Sequence, residues 1–124
     1  VIRIGPTRDE KRYAALRAIG CIACVLKGYT FPCGHPEIHH LVDKGYRKHS
    51  GGNQATIPLG PWHHRGEPRI DYTVTEMRAI WGPSMFAESK EFARLYGSQR
   101  DLLAKVNDLL ATAGKLVEPW RNRL

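Results

Sequence analysis

With 124 residues, 42% of them hydrophobic, the chain has material for one small domain that folds without a membrane, and it leaves no room for a second catalytic domain. No apolar run approaches the roughly 20 residues that cross a bilayer, and the opening Val1-Ile2-Arg3-Ile4-Gly5-Pro6 lacks the apolar block of a signal peptide. The expectation is a soluble, cytoplasmic protein with no membrane partner, and the formal charge of +7 points to a polyanion, nucleic acid being the simplest, because bound phosphates release their counterions.

Thr7 and Glu10 have capping-box spacing behind Pro6, and Tyr13, Ala14, Ala15, Leu16 and Ala18 supply an apolar stripe, which predicts a helix over 7–18. Gly20 stops it, and Cys21-Ile22-Ala23-Cys24 reads as a turn holding two thiols. Gly, Pro and Thr at loop density fill 28–36, and Glu37 to Val42 follows as a short strand. Residues 43–54 are polar and contain Gly45, Gly51 and Gly52, so they read as a loop that buries little. The second strand is Ala55-Thr56-Ile57-Pro58-Leu59, set at an edge or strand end by Pro58, which has no ladder donor. Pro61 suits the first turn of a short helix that carries His63 and His64 and ends at Gly66 and Pro68. Further helices are expected from Thr75 or Glu76 to Trp81 and over 87–96. A last one starts at a Ser98/Asp101 capping box and runs through Leu102, Leu103, Val106, Leu109 and Leu110 to Gly114. The tail, 114–124, either docks through Trp120 or stays mobile. The fold class is small α+β, with a strand, loop, strand, helix segment inside 21–70 and helices flanking it at 7–18 and 75–113.

Two adjacent histidine pairs, His39–His40 and His63–His64, enclose a polar, glycine-rich stretch with Asn53, an order that packing alone explains poorly. Neutral imidazole is the commonest transition-metal ligand and the side chain best suited to proton transfer near neutral pH. Adjacent strand residues point in different directions, so His39 and His40 should divide the labour. One coordinates a divalent metal while the other takes a proton from an attacking water, and a third imidazole from the helix completes the clamp. Lys44, Arg47 and Lys48 between the pairs, with Arg65 and Arg69 after them, surround this site with cations suited to a DNA backbone. His49 has no place in the pattern and reads as a loop or phosphate-contacting residue. The CxxC of Cys21 and Cys24 is a zinc half-site, and three thiols in a cytoplasmic protein suit a metal better than disulfides.

The order of histidines and Asn53 resembles the HNH, or ββα-metal, nuclease superfamily. Mapped onto its motif, His39 takes the first metal-ligand place, His40 the general base, Asn53 the middle place that orients the base, and His64 the helical metal ligand. That resemblance implies Mg2+ or Mn2+ as the catalytic ion, with Asn53 or Glu67 as a candidate third ligand. Many members write the corner before the helix as Leu-Cys-x-x-Cys-His, where this chain has Leu59-Gly60-Pro61-Trp62-His63-His64. His63 therefore goes to a structural zinc with Cys21, Cys24 and Cys33, the last replacing the ligand absent at Gly60, and His35 is a candidate substitute. Cys-Ile-Ala-Cys, then His-His, then Ile57 to Gly66, Gly82-Pro83-Ser84 and Tyr96-Gly97-Ser98 further resemble the phage Ref family of RecA-dependent nucleases. This likeness implies a phage or prophage protein that cuts DNA paired by a RecA filament. A second reading is a zinc-stabilised DNA-binding or recombination accessory module without nuclease activity. The two part on His40, which only cutting requires.

Overall fold

A computed structural model describes residues 5–121 of the chain. The Thr7 hydroxyl accepts the Glu10 N–H at 3.2 Å and starts α1 (Arg8–Ile19), which Gly20 ends within a residue of the expected place. The Cys21–Cys24 segment is not an open turn. It begins α2 (Ile22–Lys27), with Cys21 at the N-cap and Gly28 closing the helix at φ +66°. Burial of Ile22 and Ala23 between the two thiols explains the difference, because a helical turn carries all four residues into the core.

The sheet is an antiparallel pair, β1 (Glu37–His40) and β2 (Thr56–Leu59), in the register Glu37↔Leu59, Ile38↔Pro58, His39↔Ile57 and His40↔Thr56. Strand β1 is shorter than predicted. The Leu41 N–H still reaches the Ala55 carbonyl at 3.0 Å, but the Val42 N–H turns away to the Gln99 side chain. The connection from 43 to 54 is also more structured than its polarity suggests, with α3 (Arg47–Ser50) and a 3-10 turn at Gly52–Gln54. Ser50 is buried there. Its Oγ accepts the Lys44 N–H at 3.0 Å and its carbonyl accepts from Arg100 at 3.1 Å.

The short helix α4 (Pro61–Arg65) has Pro61 in its first turn and Gly66 at φ +71° after its last, as predicted. Helix α5 (Val74–Trp81) starts earlier than expected because Thr73 and Glu76 form a reciprocal capping box, at 3.1 and 3.0 Å. Helix α6 (Ser89–Tyr96) starts later than 87, since the Ser84 Oγ accepts the Ala87 N–H and holds that segment in a turn. Ser98 and Asp101 do cap α7 (Gln99–Arg121), each accepting from the other's N–H at 3.1 Å. This helix runs past Gly114, which costs about 1 kcal/mol against Ala but keeps its backbone donor. Leu102, Leu103 and Val106 are buried as its stripe predicts, whereas Leu109 is 39% exposed. The expected docking of Trp120 lies outside the residues whose side chains are described. Leu16, Ile22, Ile57, Leu59, Trp62, Met77, Phe92, Leu102 and Val106 belong to one core that α1, α2, β2 and α4 to α7 all enter. Among the described residues, no helix is long and apolar enough to cross a membrane.

Candidate metal centre and histidine site

Three elements deliver a closed cluster of donors. Cys21 and Cys24 come from the start of α2, Cys33 from the loop before β1, and His63 from α4; their ligand atoms lie within 4.8 Å of one another and all four residues are buried. The His63 Nδ1 is 3.4, 3.6 and 3.1 Å from the Sγ atoms of Cys21, Cys24 and Cys33, and the Cys21 and Cys33 sulfurs are 3.8 Å apart. A tetrahedral zinc with bonds of about 2.3 Å to sulfur and about 2.0 Å to nitrogen requires edges of about 3.8 and 3.5 Å, so the cluster can hold a zinc ion. The other ring nitrogen of His63 donates to the Trp81 carbonyl at 2.7 Å, which leaves the lone pair on Nδ1, facing the thiols. Hydrogen bonds from Cys24 and Cys33 push the Cys21 thiol down, while its nearness to Cys21 pushes Cys24 up to about 12 and Cys33 is pushed up as well. Three thiolates together therefore need a cation between them. A Cβ placed on Gly60 would lie 2.4 Å from the Cys33 sulfur, so Cys33 fills the space that a side chain at 60 would take. His35 is exposed and outside the cluster.

A few residues away, the second site is built from β1, α4 and the start of α7. His39 Nδ1 and His64 Nε2 are 3.1 Å apart. The Gln99 Oε1 accepts the Val42 N–H, so it is an acceptor for His39 as well, and His39 Nε2, at 3.0 Å, donates to it. The Glu37 carboxylate accepts from His64 Nδ1 at 2.8 Å. In neutral rings both remaining nitrogens then carry lone pairs, and these face each other with no hydrogen between them. A metal ion, or a second proton on His64 beside the Glu37 carboxylate, relieves that arrangement. Burial pushes the His39 pKa down, which disfavours a proton there, and two nitrogens on a metal at about 2.1 Å and a right angle would stand about 3.0 Å apart.

His40 belongs to a different set of contacts. Its Nε2 is 3.0 Å from Asn53 Oδ1 and 3.4 Å from the Tyr13 hydroxyl of α1. Asn53 thus sits on His40, away from the facing nitrogens, and Glu67 is exposed and paired with Arg65 at 3.5 Å. Lys44, Arg47 and Lys48 lie exposed on the connection between the strands, where His49 packs edge-on against Tyr46 with ring centres 4.3 Å apart. Arg65 and Arg69 already have protein partners: Arg65 grips Glu37 at 3.0–3.1 Å, and Arg69 donates to the Pro32 carbonyl at 2.8 Å. Sequence reasoning missed Glu37 and Gln99. Glu37 carried a usable signal, since it lies two residues before His39 on a strand and shares its face; Gln99, sixty residues distant, carried none.

No curated protein matches the chain. Both histidine pairs, all three cysteines and Gln99 fall within the segment that does find a match. Over residues 6–111 the sequence matches the family described as recombination enhancement, RecA-dependent nuclease, and the protein belongs to that family.

Proposed function

We propose that the protein is a DNA endonuclease of the HNH, ββα-metal kind, which hydrolyses phosphodiester bonds in DNA engaged by a RecA filament in the bacterial cytoplasm. Family membership supports nuclease activity and the link to RecA. The observation that carries the finer reading is the pair of converging lone pairs on His39 and His64 beside a separately held His40.

His39 and His64 would hold Mg2+ or Mn2+, with Gln99 and Glu37 keeping their rings in the ligating tautomer. When bound, such an ion supplies positive charge to the phosphate and to the departing 3′ oxygen. His40 is the general base: it takes a proton from the water whose oxygen bonds to phosphorus as the bond to the 3′ oxygen breaks. Asn53 fixes the His40 ring. The Cys21, Cys24, Cys33 and His63 cluster is a structural zinc site, because a closed tetrahedral set leaves no position for substrate. Lys44, Arg47 and Lys48 hold the DNA backbone, flanked by Arg65 and Arg69.

The test is nicking of plasmid or D-loop DNA with Mg2+ or Mn2+, with and without RecA. His40→Ala should cut about 10²-fold more slowly or worse, with DNA affinity and zinc content kept, and added metal should not rescue it. His39→Ala and His64→Ala should also lose cutting but recover partly at high metal concentration. Wild-type cutting by His40→Ala would remove the HNH assignment, and the zinc-stabilised binding module would become the better account.

A further inference from the structure

Helix α1 lies outside the strand, loop, strand, helix segment, yet its first turn reaches the middle of the histidine site. Asn53 Nδ2 donates to Asp9 Oδ2 at 3.1 Å, and the next residue, Gln54, donates through Nε2 to Asp9 Oδ1 at 2.8 Å. A carboxylate can only accept, so both amides must turn their NH2 groups toward Asp9. Asn53 is then obliged to present its oxygen to His40. That oxygen also can only accept, so His40 Nε2, at 3.0 Å, must carry the hydrogen. The neutral ring is left with its lone pair on Nδ1. Tyr13, at the longer distance of 3.4 Å from the same nitrogen, takes at most a second share of that hydrogen.

The support is fastened at a second point. Arg12, on the same helix, donates to the Thr56 hydroxyl at 2.8 Å and to the Thr56 carbonyl at 2.7 Å, and the Thr56 hydroxyl donates to the Asn53 carbonyl at 3.0 Å. Both the backbone and the side chain of Asn53 are therefore set by interactions that lead to α1.

We propose that Asp9 is a positioning residue of the nuclease site: by fixing which end of the Asn53 amide meets His40, it selects the His40 tautomer whose Nδ1 is free to take a proton. This rests on the reading of His40 as the general base. Asp9 touches neither DNA nor a metal in this scheme and acts only through Asn53.

Two readouts on the full chain test it. The first needs no activity: 15N spectra of histidine-labelled protein report which ring nitrogen of His40 carries the hydrogen. Wild type should show the Nε2–H form, and Asp9→Ala should show a mixture. The second is turnover at saturating DNA and metal, where Asp9→Ala should lower kcat about tenfold, the scale of removing a hydrogen-bond partner behind a working side chain, with KM and zinc content unchanged. Added to Asn53→Ala it should cost nothing more, since the two changes break one chain of hydrogen bonds. Loss of α1 packing is separated from loss of polarity by a swap. Asp9→Asn leaves one acceptor for two amides and should slow turnover. Combining Asp9→Asn with Gln54→Glu lets the amide now at position 9 donate to the carboxylate now at position 54 while still accepting from Asn53. That double variant should recover both the tautomer and the rate. An unchanged tautomer in Asp9→Ala, losses that multiply with Asn53→Ala, or no recovery in the swap would each overturn the role of Asp9. Failure of the base assignment itself would appear separately, as undiminished cutting by His40→Ala.

Discussion

His63 and His64 are consecutive on α4 yet present opposite nitrogens to their sites. A backbone carbonyl holds the Nε2 hydrogen of His63 and frees its Nδ1, while the Glu37 carboxylate holds the Nδ1 hydrogen of His64 and frees its Nε2. Which nitrogen keeps its lone pair is decided by the partner behind the ring, so identical side chains turn different nitrogens to the thiol cluster and to His39. Gly60 shows the same economy of space. Its φ is an ordinary −63°, so no backbone demand calls for glycine; the demand comes from the Cys33 sulfur, 2.4 Å from where a Cβ would stand. Gly60→Ala should therefore displace Cys33 and lose most bound zinc, measured by metal analysis after gel filtration. Gly60→Cys in a Cys33→Ala background should regain it, because a thiol then enters the same space from the other strand of chain. Full zinc content in Gly60→Ala would show that Cys33 is not a ligand.

At the scale of elements, the connection between β1 and β2 is held by α7, where Arg100 bonds the Asp43 carboxylate at 2.7 Å and the Ser50 carbonyl at 3.1 Å. The Arg100 guanidinium holds the Asp43 carboxyl below its ordinary value of 3.8. A carboxyl depressed in the folded state adds stability above its ordinary value, and that stability is lost as the pH falls through the folded value. Asp43→Asn should thus melt below wild type at pH 7, with the gap closing as the pH is taken under 3.8; a gap that persists in acid would mean the Asn side chain disturbs packing instead. Signals that act over one turn are legible in the residue order: the Ser98/Asp101 box, Pro61 in the first turn of α4, Gly20 and Gly66 as stops. The Thr73/Glu76 box has the same spacing, but the β-branched Val74 and Thr75 weaken the helical pattern at its start and hide it. The helix at Cys21 to Cys24 and the ordering of α3 are not legible. Each depends on what the segment packs against, a core for the first and Arg100 for the second. The donor set of the thiol cluster follows from residue types and family spacing, whereas Asp9 and Gln99 reach their partners across 44 and 60 residues, where no periodicity operates.

The whole molecule joins a buried, cation-seeking cluster to an exposed basic connection. Lys44, Arg47 and Lys48 are solvent-exposed, and on the proposed reading they hold the phosphate backbone, contacts that carry no base information. Replacing all three by Ala should weaken DNA binding to every sequence alike and flatten the dependence of log affinity on log salt by roughly 2 to 3, about 0.9 for each phosphate no longer neutralised. A slope equal to wild type would move the binding surface elsewhere on the protein.

Helix α4 also has a consequence for how such a protein fails. Its five residues carry His63 into the thiol cluster and His64 into the histidine site, and it is tied at Trp62 to the Gly82 carbonyl and at the His63 carbonyl to the Met85 N–H. Neighbouring residues on one short helix leave no slack between the two centres. On the proposed reading, a copy that loses its buried ion, or never acquires it during synthesis, cannot keep His64 opposite His39. The same loss that unsettles the fold then also removes cutting, so an immature or damaged copy is inactive on DNA.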